Sequence, residues 1–558
     1  MGSEAVPTAA RSAPLRLCAD GTAIVHLDRP GAGTARALLE TIAERGPRDG
    51  HTALYQIHEE SLWQAAARGR APAPRAVLAT LASASPLPVP AALARRIEGA
   101  LTRTASLRLY ADATGALWLA RTEAGDTLDL RSLARTAAVR DCLLGAATPD
   151  RAPVRPDRRY ALRAALLRLG YPVRDMGAAA AAGRAVRVRE DAQTPRPYQV
   201  AATEALFAQP AGGVVVLPCG AGKTLVGVLA IARSGVPALV VVPHHEAASQ
   251  WRACLLGQTG LSPADVRVYR GPGDVAPVTL VTYAMLATRS GDARPHLRRL
   301  AERTWSIVVF DEVHLLPAPV FALSAVLPAQ RRLGLSATLV REDGHQGDVL
   351  ALVGPVVYAL EGAALEQAGF LARATCEEVR VPLPEDLREQ YLRETAARRL
   401  RMAADNPAKD GVAARLVSDH AASPCLVLGQ YLSQLERLGQ RLGAPVVTGR
   451  SPREERERLY AAFRAGALGC LVLSKVGNLA VDLPAASVAI QVSGSFGSRQ
   501  EEAQRLGRVL RPKPDGGEAR FYSLVTAQSR EVAFAAHRAR YLVAQGYGYT
   551  VRDAGGLQ

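Results

Sequence analysis

Over much of the 558-residue chain, apolar residues come in short unbroken runs rather than in alternation. Such runs stand at 213–217 (GVVVL), 238–242 (ALVVV), 278–283 (VTLVTY), 306–310 (SIVVF) and 333–337 (LGLSA). A Val/Ile/Leu run of that length suits a strand buried on both faces. Repeated alternation of such runs with helix-like stretches predicts βα units and a parallel sheet. The pattern resumes at 425–429 (CLVLG), 444–449 (APVVTG), 470–475 (CLVLSK), 488–493 (VAIQVS) and 521–525 (FYSLV). Two α/β domains are expected, over 191–375 and 412–558. The intervening EDLREQYLRETAARRLRMAADN reads as part of a helical connector over 376–411.

The N-terminal third reads as mixed α/β. Residues 15–27 (LRLCADGTAIVHL) predict two short strands around Asp20-Gly21, and 107–120 (LRLYADATGALWLA) predict a hairpin turning near Gly115. Helical patterns lie between them, around 36–45 and 90–101. Proline and charge at 149–156 mark a joint, a helix is expected over 158–169, and the alanine-rich 177–183 lies close to a boundary. No catalytic motif appears here, and an accessory or docking role is expected.

Composition narrows the class. With 48% apolar and 22% charged residues the chain should be globular and ordered. The net charge of +16 favours an anionic partner such as nucleic acid. It equally fits a composition bias, since Lys223, Lys409, Lys475 and Lys513 are the only lysines and the rest of the cations are arginine. The seven cysteines form no CxxC pair, which argues against a zinc or iron–sulfur site and fits a reducing setting. No apolar run is long enough to cross a membrane, and the N-terminus lacks a secretory pattern, so a cytoplasmic protein without a membrane partner is expected.

The chemistry sits at the ends of the predicted strands. After 213–217, Pro218, Cys219, Gly220, Ala221 and Gly222 form a tight loop and Lys223 opens a helix, a context that cradles nucleotide phosphates on backbone N–H groups. Lys223 should reach the β- and γ-phosphates, and the Thr224 hydroxyl should ligate Mg²⁺. Leu217 stands where the GxxxxGKT pattern has its first glycine. At the end of 305–310, Asp311 is placed to hold Mg²⁺ through water and Glu312 to orient or deprotonate the attacking water. His314 either couples ATP to the next strand or simply packs. Ser336 and Thr338, in an S-A-T tripeptide at another strand end, carry hydroxyls suited to link the acid pair to a bound polymer. Upstream, Arg196 and Gln199 precede the loop strand by one helix, and a glutamine amide reads an adenine edge through one donor and one acceptor. Downstream, Asp482 is a candidate for the ribose or a domain interface. Gln504, Arg508 and Arg511 lie on one segment, with the two arginines three apart on a helix face. Guanidinium groups there would stabilise a phosphoryl-transfer transition state, although a solvated basic helix explains those arginines alone.

Taken in order, RPYQ, PCGAGKT, DEVH, SAT and QRLGRVLR resemble the superfamily-two helicases. Arg341, Glu342 and Asp343, with LPAPVF, SKVG and GSRQEEAQRLGRVLRPK, sharpen this to a resemblance to the XPB family of DNA helicases, bacterial branch. The resemblance is strong from about residue 194 onward and weak before it. It implies two RecA-like parallel-sheet domains preceded by mixed α/β accessory domains: an N-terminal domain over 1–132, a small damage-recognition-like domain over 133–190, and a thumb-like insert within the 376–411 connector. It implies ATP and Mg²⁺ as cofactors, 3′-to-5′ unwinding of DNA in repair, and single-stranded/duplex junctions as the DNA partner. Lys223, Asp311, Glu312, Arg508 and Arg511 would be catalytic. Arg196, Gln199, the loop residues, Thr224 and Asp482 would bind nucleotide. His314, Ser336, Thr338, Gln504 and the Arg341–Asp343 tripeptide would couple to DNA. Ser336 stands where many relatives have threonine, which keeps the hydroxyl. The segment Pro243-His244-His245 leading to Gln250-Trp251 leaves its DNA contacts undefined.

Three rival readings remain at this level. A duplex translocase or an RNA-dependent ATPase would share the phosphate chemistry, and a non-enzymatic scaffold would not need Lys223, Thr224, Asp311 and Glu312. A monomer is expected, with a partner nuclease or repair protein left open.

Overall fold

A computed structural model of the protein describes residues 13–48, 51–67, 71–104, 106–123, 128–176, 183–218, 220–290, 294–313, 327–337, 346–371, 374–474, 486–494, 518–544 and 547–556. The chain divides into two compact units, one of Met1–Val216 with Thr224–Ala359 and one of Leu217–Lys223 with Leu360–Gln558.

The first unit opens with an antiparallel sheet of β1 (Leu15–Leu17), β2 (Thr22–His26), β3 (Glu44–Arg48) and β4 (Thr52–Gln56), in the order β1-β2-β4-β3. Gly21 makes the β1–β2 turn with φ 101°, and a Cβ there would stand 2.1 Å from the Ile57 carbonyl, so only glycine fits. Ala23, Val25, Ala53 and Tyr55 face helices such as Ala32–Ile42 and Ala91–Thr104 across one apolar core.

A second small sheet follows, of β5 (Leu107–Ala111), β6 (Leu117–Arg121), β7 (Arg151–Pro153) and β8 (Val173–Asp175), in the order β7-β6-β5-β8. The period of two turns Leu107, Leu109, Leu117 and Leu119 inward onto the helix Arg159–Arg168. This sheet corrects the boundary expected after 132, because β5 and β6 precede it, β7 and β8 follow it, and all four share one core. The proline- and charge-rich 149–156, expected to be a joint, contains β7 and lies inside the domain.

The third sheet holds β9 (Gly212–Val216), β10 (Ala238–Val242), β11 (Val266–Val268), β12 (Val278–Thr282), β13 (Trp305–Phe310), β14 (Ala329–Ser336) and β15 (Val356–Ala359). All pair in parallel, in the order β11-β12-β10-β13-β14-β9-β15. β10, β12 and β13 are buried along their whole length, as the unbroken apolar runs predicted. The accessory domains are tied to this sheet. Gln64 Oε1 accepts the Val356 N–H at 2.8 Å, Arg163 Nη2 donates to the Leu350 carbonyl at 3.3 Å, and Arg184 and Val236 exchange backbone hydrogen bonds. Asp175 is buried and binds both Arg159 and Arg163. Burial and the charges of Arg159 and Arg163 press the nearby Arg332 of β14 down to about 9, with Asp175 opposing them.

The second unit holds another parallel sheet, of β16 (Ala374–Val381), β17 (Cys425–Leu428), β18 (Val446–Val447), β19 (Cys470–Leu473), β20 (Val488–Gln491), β21 (Ala519–Thr526) and β22 (Gly548–Asp553), in the order β18-β19-β17-β20-β21-β16-β22. The helices expected between the two sheets form at Glu385–Arg393, Ala396–Ala404 and Ala408–Asp419. The start of the expected connector is corrected, because residues 376–381 belong to β16, between β21 and β22. Its charges hid it. Glu378 is buried, accepts the Tyr549 hydroxyl at 2.6 Å and pairs with Arg380. The two α/β domains preceded by mixed accessory domains are therefore the observed fold class. Among the described residues no helix is long and apolar enough to cross a membrane.

Candidate nucleotide and metal site

Because β9, β13 and β14 run parallel, their C-terminal ends lie along one edge of the sheet. Ser336 is in register with Val216, the last residue of β9, and Phe310, just before Asp311, is in register with Gly334. β14 thus stands between the strand that feeds the loop and the strand that delivers the acids. In the loop, Gly220 and Gly222 adopt φ of 82° and 76°, the left-handed turns that aim successive N–H groups inward. The Ala221 N–H donates to the Pro218 carbonyl at 3.2 Å, and Lys223 Nζ lies 3.4 Å from the Leu217 carbonyl, folded over its own loop. Lys223 and Thr224 open the helix Lys223–Ser234.

Asp311 is held from several sides. Its Oδ2 accepts the Trp251 indole N–H at 2.8 Å, its Oδ1 accepts the Glu312 N–H at 3.1 Å, and its carbonyl accepts the Tyr283 hydroxyl at 2.6 Å. Its own N–H donates to the Val241 carbonyl at 2.9 Å. Burial, with the charges of Asp311 and Glu312 adding to it, pushes the Tyr283 phenol well above its usual value, so it stays a neutral donor. Glu312 takes φ 47°, an uncommon conformation for a residue with a side chain, directly after the strand. Ser336 is fully buried at the end of β14.

Arg196 caps the helix Pro197–Phe207. Its N–H donates to Gln199 Oε1 at 2.8 Å and its Nη1 to the Tyr198 hydroxyl at 3.0 Å, which fixes the orientation of the buried Gln199 amide. Cys219, His314, Thr338, Arg341, Glu342, Asp343, Asp482, Gln504, Arg508, Arg511 and most of the alanine-rich 177–183 lie outside the described residues.

Two residues at the acid pair were not legible as such. Trp251 reads as part of a segment with undefined DNA contacts, yet it is 1% exposed and bonded to Asp311. A signal existed: Ala247, Ala248, Trp251 and Leu255 recur at helical spacing on the buried face of His245–Gln258. Tyr283 closes an apolar run, and nothing in its neighbours marks it as a ligand of the next strand but one. The His244-His245 pair has a structural use, since His244 Nδ1 accepts the Ala247 N–H at 3.1 Å and caps that helix.

Comparison with known proteins places this geometry. Residues 365–554 match the family model described as ERCC3/RAD25/XPB C-terminal helicase. Residues 192–341 match that of the type III restriction enzyme res subunit, and 15–147 a helicase conserved C-terminal domain. The chain is 43% identical over 545 residues to the DNA 3′-5′ helicase XPB of Kineococcus radiotolerans, covering 97% of this chain and 96% of that one. It is 40% identical over 548 residues to the protein of the same description from Mycobacterium tuberculosis, covering 98% of each. A Saccharomyces cerevisiae protein described as the general transcription and DNA repair factor IIH helicase/translocase subunit XPB/SSL2 is 35% identical over 373 residues, 64% of this chain and 44% of that one.

Proposed function

The chain belongs to the XPB family of DNA helicases, and on that premise we propose that it is an ATP-dependent DNA helicase that moves 3′ to 5′ and acts in DNA repair. The observation that carries the reading on this chain is the acid pair at the end of β13. Asp311 is anchored through its carboxylate and its backbone, beside the strand that ends in Ser336 and one strand from the strand that feeds the phosphate loop.

The residues fit ATP with Mg²⁺. The candidate ligands are a hydroxyl from Thr224 and a carboxylate from Asp311, the hard oxygen donors that suit this ion when nucleotide phosphates complete its shell. When bound, the ion would neutralise charge on the β- and γ-phosphates. Gly220, Ala221 and Gly222 offer backbone N–H groups to the phosphates, and Lys223 leaves its own loop to reach them. Glu312 orients the attacking water and accepts its proton. Gln199 positions the base, with its amide set by Arg196. Ser336 sits where a change at the acid pair passes to the next strand end. The roles of Thr338, of Arg341, Glu342 and Asp343 in strand separation, and of Asp482, Gln504, Arg508 and Arg511 at the phosphates rest on the family motifs.

The test is ATP hydrolysis with and without DNA, for wild type and Lys223→Ala, with RNA as a second stimulant. DNA-stimulated turnover lost in the variant supports the reading. Equal behaviour of the two proteins, or stimulation by RNA alone, refutes it. Strand displacement on 3′- and 5′-tailed duplexes then separates a helicase from a duplex translocase.

A further inference from the structure

We propose that Trp251 is a positioning residue of the ATPase site: its indole N–H sets the Asp311 carboxylate for Mg²⁺, and its ring ties that setting to the helix that follows the phosphate loop. The proposal rests on the functional reading given above and assigns the tryptophan a role that its place in the sequence does not suggest.

Three observations converge on this side chain. The first is the hydrogen bond. An indole nitrogen is a donor only, and an N–H bonded to a carboxylate is roughly twice as strong as a neutral pair. Trp251 Nε1 reaches Asp311 Oδ2 at 2.8 Å from a site that is 1% exposed. With the Glu312 N–H on Oδ1, each carboxylate oxygen has a fixed donor. The plane of the group is therefore set before any ligand arrives.

The second observation is steric. Gly227 lies one turn along the helix from Lys223, and a Cβ at that position would stand 2.2 Å from Trp251 Cη2 and 3.0 Å from Cζ3. The backbone of Gly227 has no need of glycine, since it is ordinary helix. Glycine in a helix interior costs roughly 0.5–1 kcal/mol relative to alanine, so its presence here reflects the space the indole takes.

The third observation is the origin of the side chain. Trp251 comes from the helix His245–Gln258, which is capped by His244. One residue thus joins three elements: the end of β13, the helix that Lys223 and Thr224 open, and the helix that begins at His245. A phenylalanine keeps an aromatic ring there but lacks the donor and part of the indole's volume. Gly227→Ala leaves the donor in place and displaces the ring, so the two variants reach the Asp311 bond by different routes.

Trp251→Phe removes the N–H and keeps an aromatic ring. Binding of a fluorescent ADP analogue in EDTA should be unchanged, while the gain in affinity on adding Mg²⁺ should fall by about 10–100-fold, the weight of a hydrogen bond to a charged group. The Mg²⁺ concentration that half-saturates ATP hydrolysis should rise in step, a readout that packing lost with the smaller ring does not by itself move. Gly227→Ala tests the same link with the indole intact, by pushing the ring away from Asp311, and should give the same Mg²⁺ phenotype. The double variant should be little worse than either single one, because both break one bond. Wild-type Mg²⁺ dependence in both variants overturns the proposal and leaves Trp251 a packing residue, whether or not they melt earlier. Wild-type protein that binds no nucleotide in the presence of Mg²⁺ overturns the underlying ATPase reading instead.

Discussion

In the first parallel sheet, β13 ends in Asp311 and Glu312; the Trp251 indole and the Glu312 N–H donate to the Asp311 carboxylate, and the Tyr283 hydroxyl holds its carbonyl. In the second, β19 and β20 lead into Ser474, Gln491 and Ser493, which are neutral and buried. Ser493 Oγ accepts the Gln430 N–H at 2.8 Å, while both amide atoms of Gln491 and the Ser474 hydroxyl are buried with no hydrogen-bond partner among the described residues. The two sheets share strand count and direction, so backbone architecture does not separate them. The difference lies in which strand ends carry charge and whether donors were built around it. Function rests on sites grafted onto a repeated frame.

The contrast is broken most directly at the acid pair. Glu312→Gln should lower DNA-stimulated ATP turnover by about 10²–10⁴-fold with nucleotide binding retained, as expected for loss of a general base. Steady-state kinetics beside nucleotide titration would show it. A comparable loss from Gln491→Met in the second sheet would mean that the division of labour drawn here is wrong.

The next effects are on stability, one in each unit. Asp175→Asn leaves the partly buried Arg159 and the buried Arg163 without their shared carboxylate, beside the buried Arg332. It should cost roughly 3–5 kcal/mol, the range for breaking a buried ion pair. In the second unit the fully buried Lys409 reaches Glu531 Oε2 at 2.8 Å, and Lys409→Met should cost a similar amount while Lys409→Met with Glu531→Leu should recover most of it. Denaturant unfolding read by tryptophan fluorescence distinguishes these. Removal of residues 1–190 should destabilise the remaining helicase sheet, since Gln64 and Arg163 bond to its edge and its following helix.

A smaller effect is expected at the neutral strand end. Gln491→Met is close in volume and should change stability by less than about 1.5 kcal/mol, or raise it, because an amide without partners costs free energy. Thermal melting checks this.

The smallest effect concerns thiols. Cys425 and Cys470 are paired in register on β17 and β19, and burial pushes them up to about 11 and about 12. An alkylating reagent at pH 8 should label the exposed Cys18 in the native protein and reach this pair only after denaturation. The unfolded thiols titrate first, so this contribution to stability is whole below about pH 9 and lost as pH rises above it. Intact-mass measurement of labelled protein decides.

Much of this molecule was legible because local signals agreed with the fold. The runs at 238–242, 278–282 and 306–310 are legible as strands because short, β-branched, mostly apolar runs suit a strand covered on both faces, and each is buried throughout. β16 and β22 were missed for the opposite reason. Glu377, Glu378, Arg380 and Arg552 look like a solvated surface, but they pair with one another, Arg552 with Glu377 across the two strands and Arg380 with Glu378 within β16. The boundary near 132 was misplaced because the chain leaves the small sheet after β6 and returns to it at β7, which composition does not record.

The strand–loop–helix at Lys223, the acids at the end of β13 and the serine at the end of β14 are each written in a local pattern, a buried run that stops at a glycine-rich turn or a polar residue. What holds those residues in place comes from the fold around them. Trp251, Tyr283 and Gly227 are 60, 28 and 84 positions from Asp311, and no local pattern relates them to it. Their link exists because the parallel sheet with its covering helices brings to one strand end a donor for the carboxylate, a donor for the carbonyl and the space that the indole occupies.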